Sequence, residues 1–276
     1  MKCCVCLCVS NNEKGLPAVL KNILKLQSVF EHINILAFYD KSHDKSLEIL
    51  NSFKETYTGT MEIIVNPQRK SYIRTENIAF ARNALLTLVR DTYSYCEYFI
   101  MMDSNHYSCV GELNPDVVKE MLTDRLEEWD AISFDREGGY YDLWALSFEP
   151  FVYSFYHFTN WKLVLDKMRE MFKIVLEYYK VNKPNEFINV HSAFNGFAIY
   201  KTKMFVNCSY SSNIQFSLFL KDHLIKQMAR VGCNILNKFD DDCEHRKFHM
   251  EAIQKNGARI RICTKSVFAK VEGAEV

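Results

Sequence analysis

The first half of the chain alternates short apolar runs with longer segments in which apolar residues recur every three or four positions. The short runs predict buried strands, at 3–9, 33–38, 61–65, 98–102 and 131–134. The periodic segments predict helices, at 16–26, 46–57, 74–90 and 114–129. Strands that alternate with helices indicate a mostly parallel central sheet flanked by helices, which is the α/β class.

The second half is less regular, but its longest periodic segment predicts a helix at 161–181. Apolar residues along one side of that helix predict a core-facing stripe, made of Trp161, Leu165, Met168, Phe172, Val175 and Tyr179. Shorter patterns predict strands at 197–200 and 259–263 and helices at 217–230 and 242–255. Because no repeat, low-complexity tract or linker divides the chain, we expect a single domain over residues 1–276.

Composition narrows the possible partners. The 34 basic and 34 acidic residues cancel, so no basic field points to nucleic acid.

The ten cysteines include no Cys-x-x-Cys pair, and we interpret them as reduced core thiols, which predicts a reducing, cytoplasmic compartment. No stretch approaches the roughly eighteen apolar residues of a membrane span. The apolar run at 3–9 is short for a signal peptide and suits a strand.

The strand predicted at 98–102 leads directly into an acid, Asp103. An acid at the carboxyl end of a central strand lies where open α/β sheets place their ligands. Asn105, two residues on, would point the same way, and two converging oxygens suit a divalent cation that holds a phosphate. The alternative is that both residues only form a turn, in which Asp and Asn are common.

Other polar residues accompany the predicted strands. Asp40 follows the second strand, where it can hydrogen-bond a nucleoside or simply close a turn. Arg74 and Arg82 precede the Asp103 strand, and a guanidinium is a natural partner of a diphosphate, although Arg82 can also be a solvated helix residue. The adjacent Asn83 can hold a ribose. The chain lacks GxGxxG, GxxxxGK[ST] and GxSxG, which argues against dinucleotide oxidoreductases, P-loop NTPases and α/β-hydrolases.

An acidic cluster at 240–244 opens the last predicted helix, and the helix dipole alone can explain it. His245 and His249 are four residues apart and share a helical face, so together they can meet a metal. Position 246 is Arg, so this is not the HExxH zinc motif. We expect one histidine to bind a cation held elsewhere by Asp103 and the other to pack or hydrogen-bond.

Taken in order, these blocks resemble a known group of enzymes. The first-strand loop, Asp40, residues 78–83 (IAFARN) and residues 102–105 (MDSN) follow the order used by GT-A glycosyltransferases. Three further blocks are similar to the cryptococcal capsule mannosyltransferase group and its relatives in large DNA viruses. They are 140–146 (YYDLWAL), 192–200 (SAFNGFAIY) and 243–245 (CEH). The resemblance spans residues 3 to 263.

The resemblance implies a GT-A, Rossmann-like α/β domain that transfers a sugar from a nucleotide-diphosphate-sugar. Residues 1–135 would bind this donor, and residues 136–276 would bind the acceptor, a hydroxyl of a glycan or glycoprotein. The implied donor-binding residues are Ser10, Asn11, Asp40, Arg74, Arg82, Asn83, Asp103 and Ser104. The resemblance also implies a viral protein located in the host cytoplasm.

By the same resemblance, Asp103, Asn105 and His245 would hold Mn²⁺ or Mg²⁺ at the diphosphate. The motif of the family is Asp-x-Asp, and the amide of Asn105 brings no charge, which predicts weaker metal affinity or metal independence. An inverting transfer needs a carboxylate to activate the acceptor hydroxyl. Glu244 is the candidate base, with Asp242 behind it.

Acceptor binding is expected from two segments, through Tyr141, Asp142, Trp144, Asn195 and Gly196. Tyr141 or Trp144 can stack on a sugar ring or fill the core, and Gly196 has no side chain to block the acceptor. Two other functions stay open. One is a nucleotidyltransferase on a similar fold, which would release pyrophosphate, and the other is an inactive sugar-nucleotide-binding relic, suggested by Asn105.

Overall fold

One mixed sheet organises the residues that the structure describes, which are 1–137, 139–213, 218, 221–232 and 241–269. In this computed structural model the strands lie in the order β3-β2-β1-β4-β7-β5-β8-β6. Their bounds are β1 (Lys2–Val9), β2 (His32–Asp40), β3 (Thr60–Asn66), β4 (Tyr98–Asp103), β5 (Ala131–Asp135), β6 (Ile188–Val190), β7 (Phe197–Lys201) and β8 (Ile260–Ser266). β6 and β7 run antiparallel to their neighbours, and the other pairs are parallel. The predicted α/β class with a mostly parallel sheet is confirmed.

Helices cover both faces of this sheet. Within the described residues they are α1 (Leu16–Lys25), α2 (Ser46–Thr56), α3 (Arg74–Asp91), α4 (Pro115–Thr123), α5 (Trp161–Asn182), α6 (Thr202–Phe205), α7 (Lys221–Val231) and α8 (Glu244–Asn256). α8 ends at Gly257, whose φ of 65° is the left-handed conformation that glycine favours after a helix, as predicted. Among these helices, none has both the length and the apolar composition that crossing a membrane requires.

Each face of the sheet carries a hydrophobic core, and the central strand β4 contributes to both. Tyr98, Ile100 and Met102 pack in the core that includes α1 and α4. Phe99 and Met101 pack in the core that includes α3 and α8. A strand covered on both faces has no solvated side to place polar residues on, and this explains its uninterrupted apolar run.

The cysteines of the first strand divide between the same two cores. Cys3 packs on the α1 side, and Cys4 and Cys6 pack on the α3 side, all with no exposed surface. The nine cysteines among the described residues are free thiols. Eight of these nine cysteines are buried, as predicted for core residues, whereas Cys8 is half-buried and lines the cleft described below. Cys233 lies outside the described residues.

Some predicted elements differ from the observed ones. The helix predicted at 114–129 ends at Thr123, because the chain turns there to bury Trp129, whose indole nitrogen donates to the Met121 carbonyl at 3.1 Å. The short strand β6 is not predicted, since three residues carry no clear period. Of the helix predicted at 217–230, residues 217, 219 and 220 lie outside the described residues.

The core-facing side of α5 also differs from the predicted stripe. Met168 and Phe172 are buried as predicted, but the other buried positions are Val164 and Leu176. The remaining predicted positions are only partly buried against the core. Since helical positions three and four apart share a face, the apolar side is broad enough for either set, and tertiary packing selects between them.

Strand β7 comes from the second half of the chain but lies inside the sheet, between β4 and β5. It runs antiparallel to both, with Phe197 opposite Met102. The Asp103 amide donates to the Gly196 carbonyl at 2.8 Å. The two predicted halves thus share one continuous sheet, and residues after 135 reach the end of the central strand.

Candidate functional site

A cleft of about 570 Å³ opens at the carboxyl edge of β1, β2 and β4. Parallel pairing aligns these strand ends, with Cys8 opposite Asp103 and Val9 opposite Tyr39. Asp40 and Asp103, the last residues of β2 and β4, both line the cleft. Open α/β sheets bind ligands at this edge, and the volume suits a small molecule.

Asp103 is held in place by three side chains. Its Oδ2 accepts a hydrogen bond from the Tyr141 hydroxyl at 3.0 Å and lies 3.4 Å from the Ser108 hydroxyl. Its Oδ1 lies 3.4 Å from the Arg82 guanidinium. Burial raises the pKa of Asp103 above its usual value, and Arg82 and Tyr141 only partly offset this rise. The carboxylate is therefore fixed in position at the cleft.

Arg82 connects the acidic groups of the site. It is 6% exposed, and its Nη1 donates to Glu244 Oε1 and to His245 Nε2, while Nη2 reaches Asp103. Its guanidinium lies over the Phe194 ring, 4.7 Å from the centroid. Burial opposes its charge, but the carboxylates of Glu244 and Asp103 raise the pKa of Arg82 above the ordinary value. A permanent buried cation therefore lines the cleft, so Arg82 is not a solvated helix residue.

Glu244 and Asp242 lie two residues apart but in different surroundings. Glu244, the first residue of α8, lines the cleft and is 4% exposed. Asp242 is not among the lining residues. Its Oδ2 pairs with Arg246 Nε at 3.0 Å, and its Oδ1 accepts from the Cys243 amide at 2.7 Å. Although burial opposes its ionisation, Arg246 holds the pKa of Asp242 below its usual value. The Asp242 carboxylate thus holds Arg246 and the start of α8 behind Glu244, and its catalytic role stays a prediction.

The two histidines of α8 differ in role. His245 lines the cleft, and because Arg82 can only donate, His245 Nε2 must accept and the proton sits on Nδ1. His249 lies one turn further on, where its nitrogens contact the Ser192 hydroxyl at 2.9 Å and the Tyr200 hydroxyl at 3.1 Å. Burial and the charge of Arg82 lower the pKa of both rings, so both are neutral.

Most of the predicted donor-binding residues line the cleft, namely Ser10, Asn11, Asp40, Arg74, Arg82, Asp103 and Ser104. Asp40 Oδ1 accepts from the Asn66 amide at 2.6 Å, which orients the carboxylate. Asn83 is the exception. Its side chain binds the backbone nitrogen and carbonyl of Tyr210 at 2.8 and 2.9 Å. The amide anchors the segment at Tyr210, and a donor contact of Asn83 stays a prediction.

Of the predicted acceptor-binding residues, Tyr141, Asp142 and Trp144 line the cleft. Burial raises the pKa of Asp142 to about 6. A hydrogen bond from the Ala145 amide at 3.1 Å opposes this rise, and the negative charges of Asp103 and Glu244 add to it. Asp142 is thus a cleft carboxyl that titrates near neutral pH.

Asn195 and Gly196 are not among the residues that line the cleft. Asn195 has a φ of 59°, and its Oδ1 accepts from the Tyr141 amide at 3.1 Å. Gly196 has a φ of 87°, and a Cβ there would lie 2.9 Å from Ser108 Cβ and 3.0 Å from the Tyr141 hydroxyl. Acceptor contacts by these two residues stay predictions. The missing side chain of Gly196 makes room for Ser108 and Tyr141, the two residues that position Asp103.

Solved structures resemble the fold over almost the whole chain. TarS of S. aureus matches with a TM-score of 0.52 at 14% identity, over 98% of this chain and 37% of that one. Its fragment 1–349, solved in complex with UDP, matches with a TM-score of 0.51 at 13% identity, over 98% of this chain and 60% of the fragment.

The chain has the GT-A fold. It spans less than two thirds of the length of these TarS structures. In sequence, no protein family and no curated protein matches it. Identities this low show a shared fold and leave the activity to be argued from the site.

Each predicted metal ligand of this GT-A chain already contacts another group of the protein. Asn105 Oδ1 accepts from two backbone amides of its own turn, at 3.1 and 2.8 Å, which is the turn role that the sequence also allowed. The Arg82 guanidinium contacts both Asp103 and His245, so a fixed positive charge already lies against two of the three ligands. The side chains present therefore do not fit a cation held by all three together, and Mn²⁺ or Mg²⁺ stays a prediction.

Ser108 and Arg69 belong to the site and were not predicted. Ser108 Oγ lies 2.9 Å from the Tyr141 hydroxyl and completes the set of groups on Asp103. Arg69 lines the cleft and donates to the Ser10 hydroxyl at 3.3 Å. Both come from loops, where no periodicity marks them, and Ser108 lies in the turn that Asn105 caps.

Proposed function

We propose that this chain is a glycosyltransferase that moves a sugar, with inversion, from a nucleotide-diphosphate-sugar to a hydroxyl of a glycan or glycoprotein. The observation that carries the proposal is the contact of buried Arg82 with Glu244 and Asp103 at the carboxyl edge of a GT-A sheet. It places a permanent cation beside a candidate base in a cleft of small-molecule size. The UDP in the similar TarS structure supports a nucleoside diphosphate as part of the donor.

The positions of polar and charged residues in the cleft give the donor an expected orientation. Asp40 and Ser10, at the ends of β2 and β1, offer hydrogen-bonding groups to a nucleoside. Arg82 and Arg74, both on α3, offer positive charge to the diphosphate. The sugar would then lie toward Asp142 and the start of α8, where the acceptor enters.

The reaction follows from these charges. The acceptor oxygen bonds to the anomeric carbon while the bond between that carbon and the phosphate oxygen breaks. The electron pair of the broken bond leaves with the nucleoside diphosphate. Arg82 stabilises the charge that develops there. Glu244 takes the proton of the acceptor hydroxyl. A diphosphate that engages Arg82 competes with Glu244 for the guanidinium, which frees the carboxylate to contact the acceptor hydroxyl.

A matched pair of variants tests the role of the base. Glu244→Gln keeps the shape and an acceptor for Arg82 but cannot take a proton. We expect sugar transfer or donor hydrolysis to fall by at least about 10²-fold. Glu251→Gln is the control, since Glu251 lies on the same helix, pairs with Lys255 at 2.6 Å and is not among the residues lining the cleft. Nucleoside diphosphate release from a panel of UDP- and GDP-sugars provides the assay.

The same assay separates the alternatives. Full turnover in folded Glu244→Gln would remove Glu244 from the mechanism. Pyrophosphate release from a nucleoside triphosphate would instead identify a nucleotidyltransferase. Donor binding detected by thermal shift, without turnover with any acceptor or divalent cation, would identify a sugar-nucleotide-binding relic.

A further inference from the structure

A second cluster of ligand-type side chains lies away from the cleft. Glu149, His191 and His223 each offer a nitrogen or oxygen atom, and these atoms all lie within 4.8 Å of one another. His223 Nδ1 is 2.8 Å and His191 Nε2 is 3.6 Å from Glu149 Oε1. None of the three is among the residues that line the cleft.

The three residues come from distant segments that the fold fixes against one another. Backbone bonds join the strand end at 191–192 to Ser147, with His191 N donating to Ser147 O at 2.7 Å. The first turn of α7 supplies His223, and the Gln227 side chain ties that helix to the Tyr153 backbone through bonds of 2.7 and 2.9 Å. The ligand positions are therefore set by packed backbone on both sides, as a binding site requires.

The spacing suits a tetrahedral cation. Ligand atoms about 2.1 Å from a zinc ion lie about 3.4 Å apart, and the two measured distances to Glu149 fall on either side of this value. His223 Nδ1 is buried and faces the Glu149 carboxylate at 2.8 Å, and an imidazole nitrogen beside a carboxylate is a common pair of zinc ligands. Glu149 is 47% exposed, so an ion can enter from solvent.

We propose that Glu149, His191 and His223 form a binding site for a zinc-type divalent cation. Two imidazoles with one carboxylate are a set that zinc takes, with a fourth position open to water. Mg²⁺ prefers oxygen ligands and an octahedral shell, so it does not suit the site. A bound ion links α7 to the segments at 149 and 191 and stabilises that junction.

Metal titration of the purified, metal-stripped full chain tests the proposal. We expect one Co²⁺ to bind with the visible absorption of a four-coordinate nitrogen and oxygen site, and Zn²⁺ to displace it and raise the melting temperature. His191→Ala and Glu149→Gln should each weaken Zn²⁺ binding by at least about tenfold. His32→Ala is the control, since His32 is an exposed histidine at the start of β2, far along the chain from the cluster.

Three outcomes would overturn the site. The first is no Zn²⁺ binding at concentrations up to about 1 mM, since a specific zinc site would bind more tightly than that. The second is a sulfur-to-cobalt charge-transfer band, which reports cysteine ligands. The third is an unchanged Zn²⁺ affinity in both His191→Ala and Glu149→Gln. Because Glu149 is half exposed, its variant should fold even if the histidine variant does not. The readouts are spectra and stability, so they are independent of glycosyltransferase activity.

Discussion

Replacing Arg82 by Met is the most direct test of the site, because it removes the buried cation and keeps most of the apolar stem. The guanidinium faces Glu244 and, at 3.4 Å, Asp103. At an effective dielectric constant near 20, a unit charge pair at that distance interacts by about 5 kcal/mol. Part of this attraction only offsets the cost of burying the charges. Removing one partner of a buried pair, which leaves the other unpaired, costs about 3–5 kcal/mol.

We therefore expect Arg82→Met to lower the free energy of unfolding by about 3–5 kcal/mol at neutral pH. The loss should shrink as the pH falls, because carboxylates left without Arg82 can take up protons. Urea unfolding at two pH values measures both effects. Adding Glu244→Gln to Arg82→Met should restore part of the stability, since it removes one unpaired charge.

Arg246→Met is the matched control for function. Arg246 is 1% exposed and paired with Asp242 at 3.0 Å, yet it is not among the residues that line the cleft. Both variants should lose stability, but only Arg82→Met should lose nucleoside diphosphate binding in the folded protein. A stability loss below about 1 kcal/mol for Arg82→Met, or equal donor binding in both variants, would refute the reasoning.

Two further predictions concern the cleft wall. Burial raises the pKa of Asp142 to about 6, so the ionisation of Asp142 lowers the stability of the fold as the pH rises from 4 to 6. Asp142→Asn should therefore be more stable than the parent by up to about 3 kcal/mol at pH 8, but not at pH 4. An equal effect at both pH values in urea unfolding would contradict this. Gly196→Ala should destabilise by more than Gly257→Ala, because both have positive φ but only the former places a Cβ against Ser108 and Tyr141. Equal losses in a thermal unfolding comparison would show that the close approach costs nothing.

The α/β class and the ends of the central strands could be predicted from the residue pattern alone. The apolar run before Asp103 has the length of one strand. It is uninterrupted because both faces of the strand are buried, and this is why the strand could be recognised without the tertiary structure. Asp40 and Asp103 end β2 and β4, which both pair in parallel with β1, and so both carboxylates lie at the carboxyl edge of the sheet. The roles of cysteines as core residues followed in the same way from composition and strand alternation.

Which polar residues face the cleft depends on how distant segments of the chain pack against one another. Arg82 and Glu244 are separated by 162 positions, and no local period links residues so far apart. Asp242 precedes Cys243, the N-cap of α8, whereas Glu244 is the first residue of that helix. Although they lie two positions apart, Asp242 pairs with Arg246 and Glu244 lines the cleft. Sequence pattern marks that a charge is present, whereas the packing of distant segments sets the partner that gives it a function.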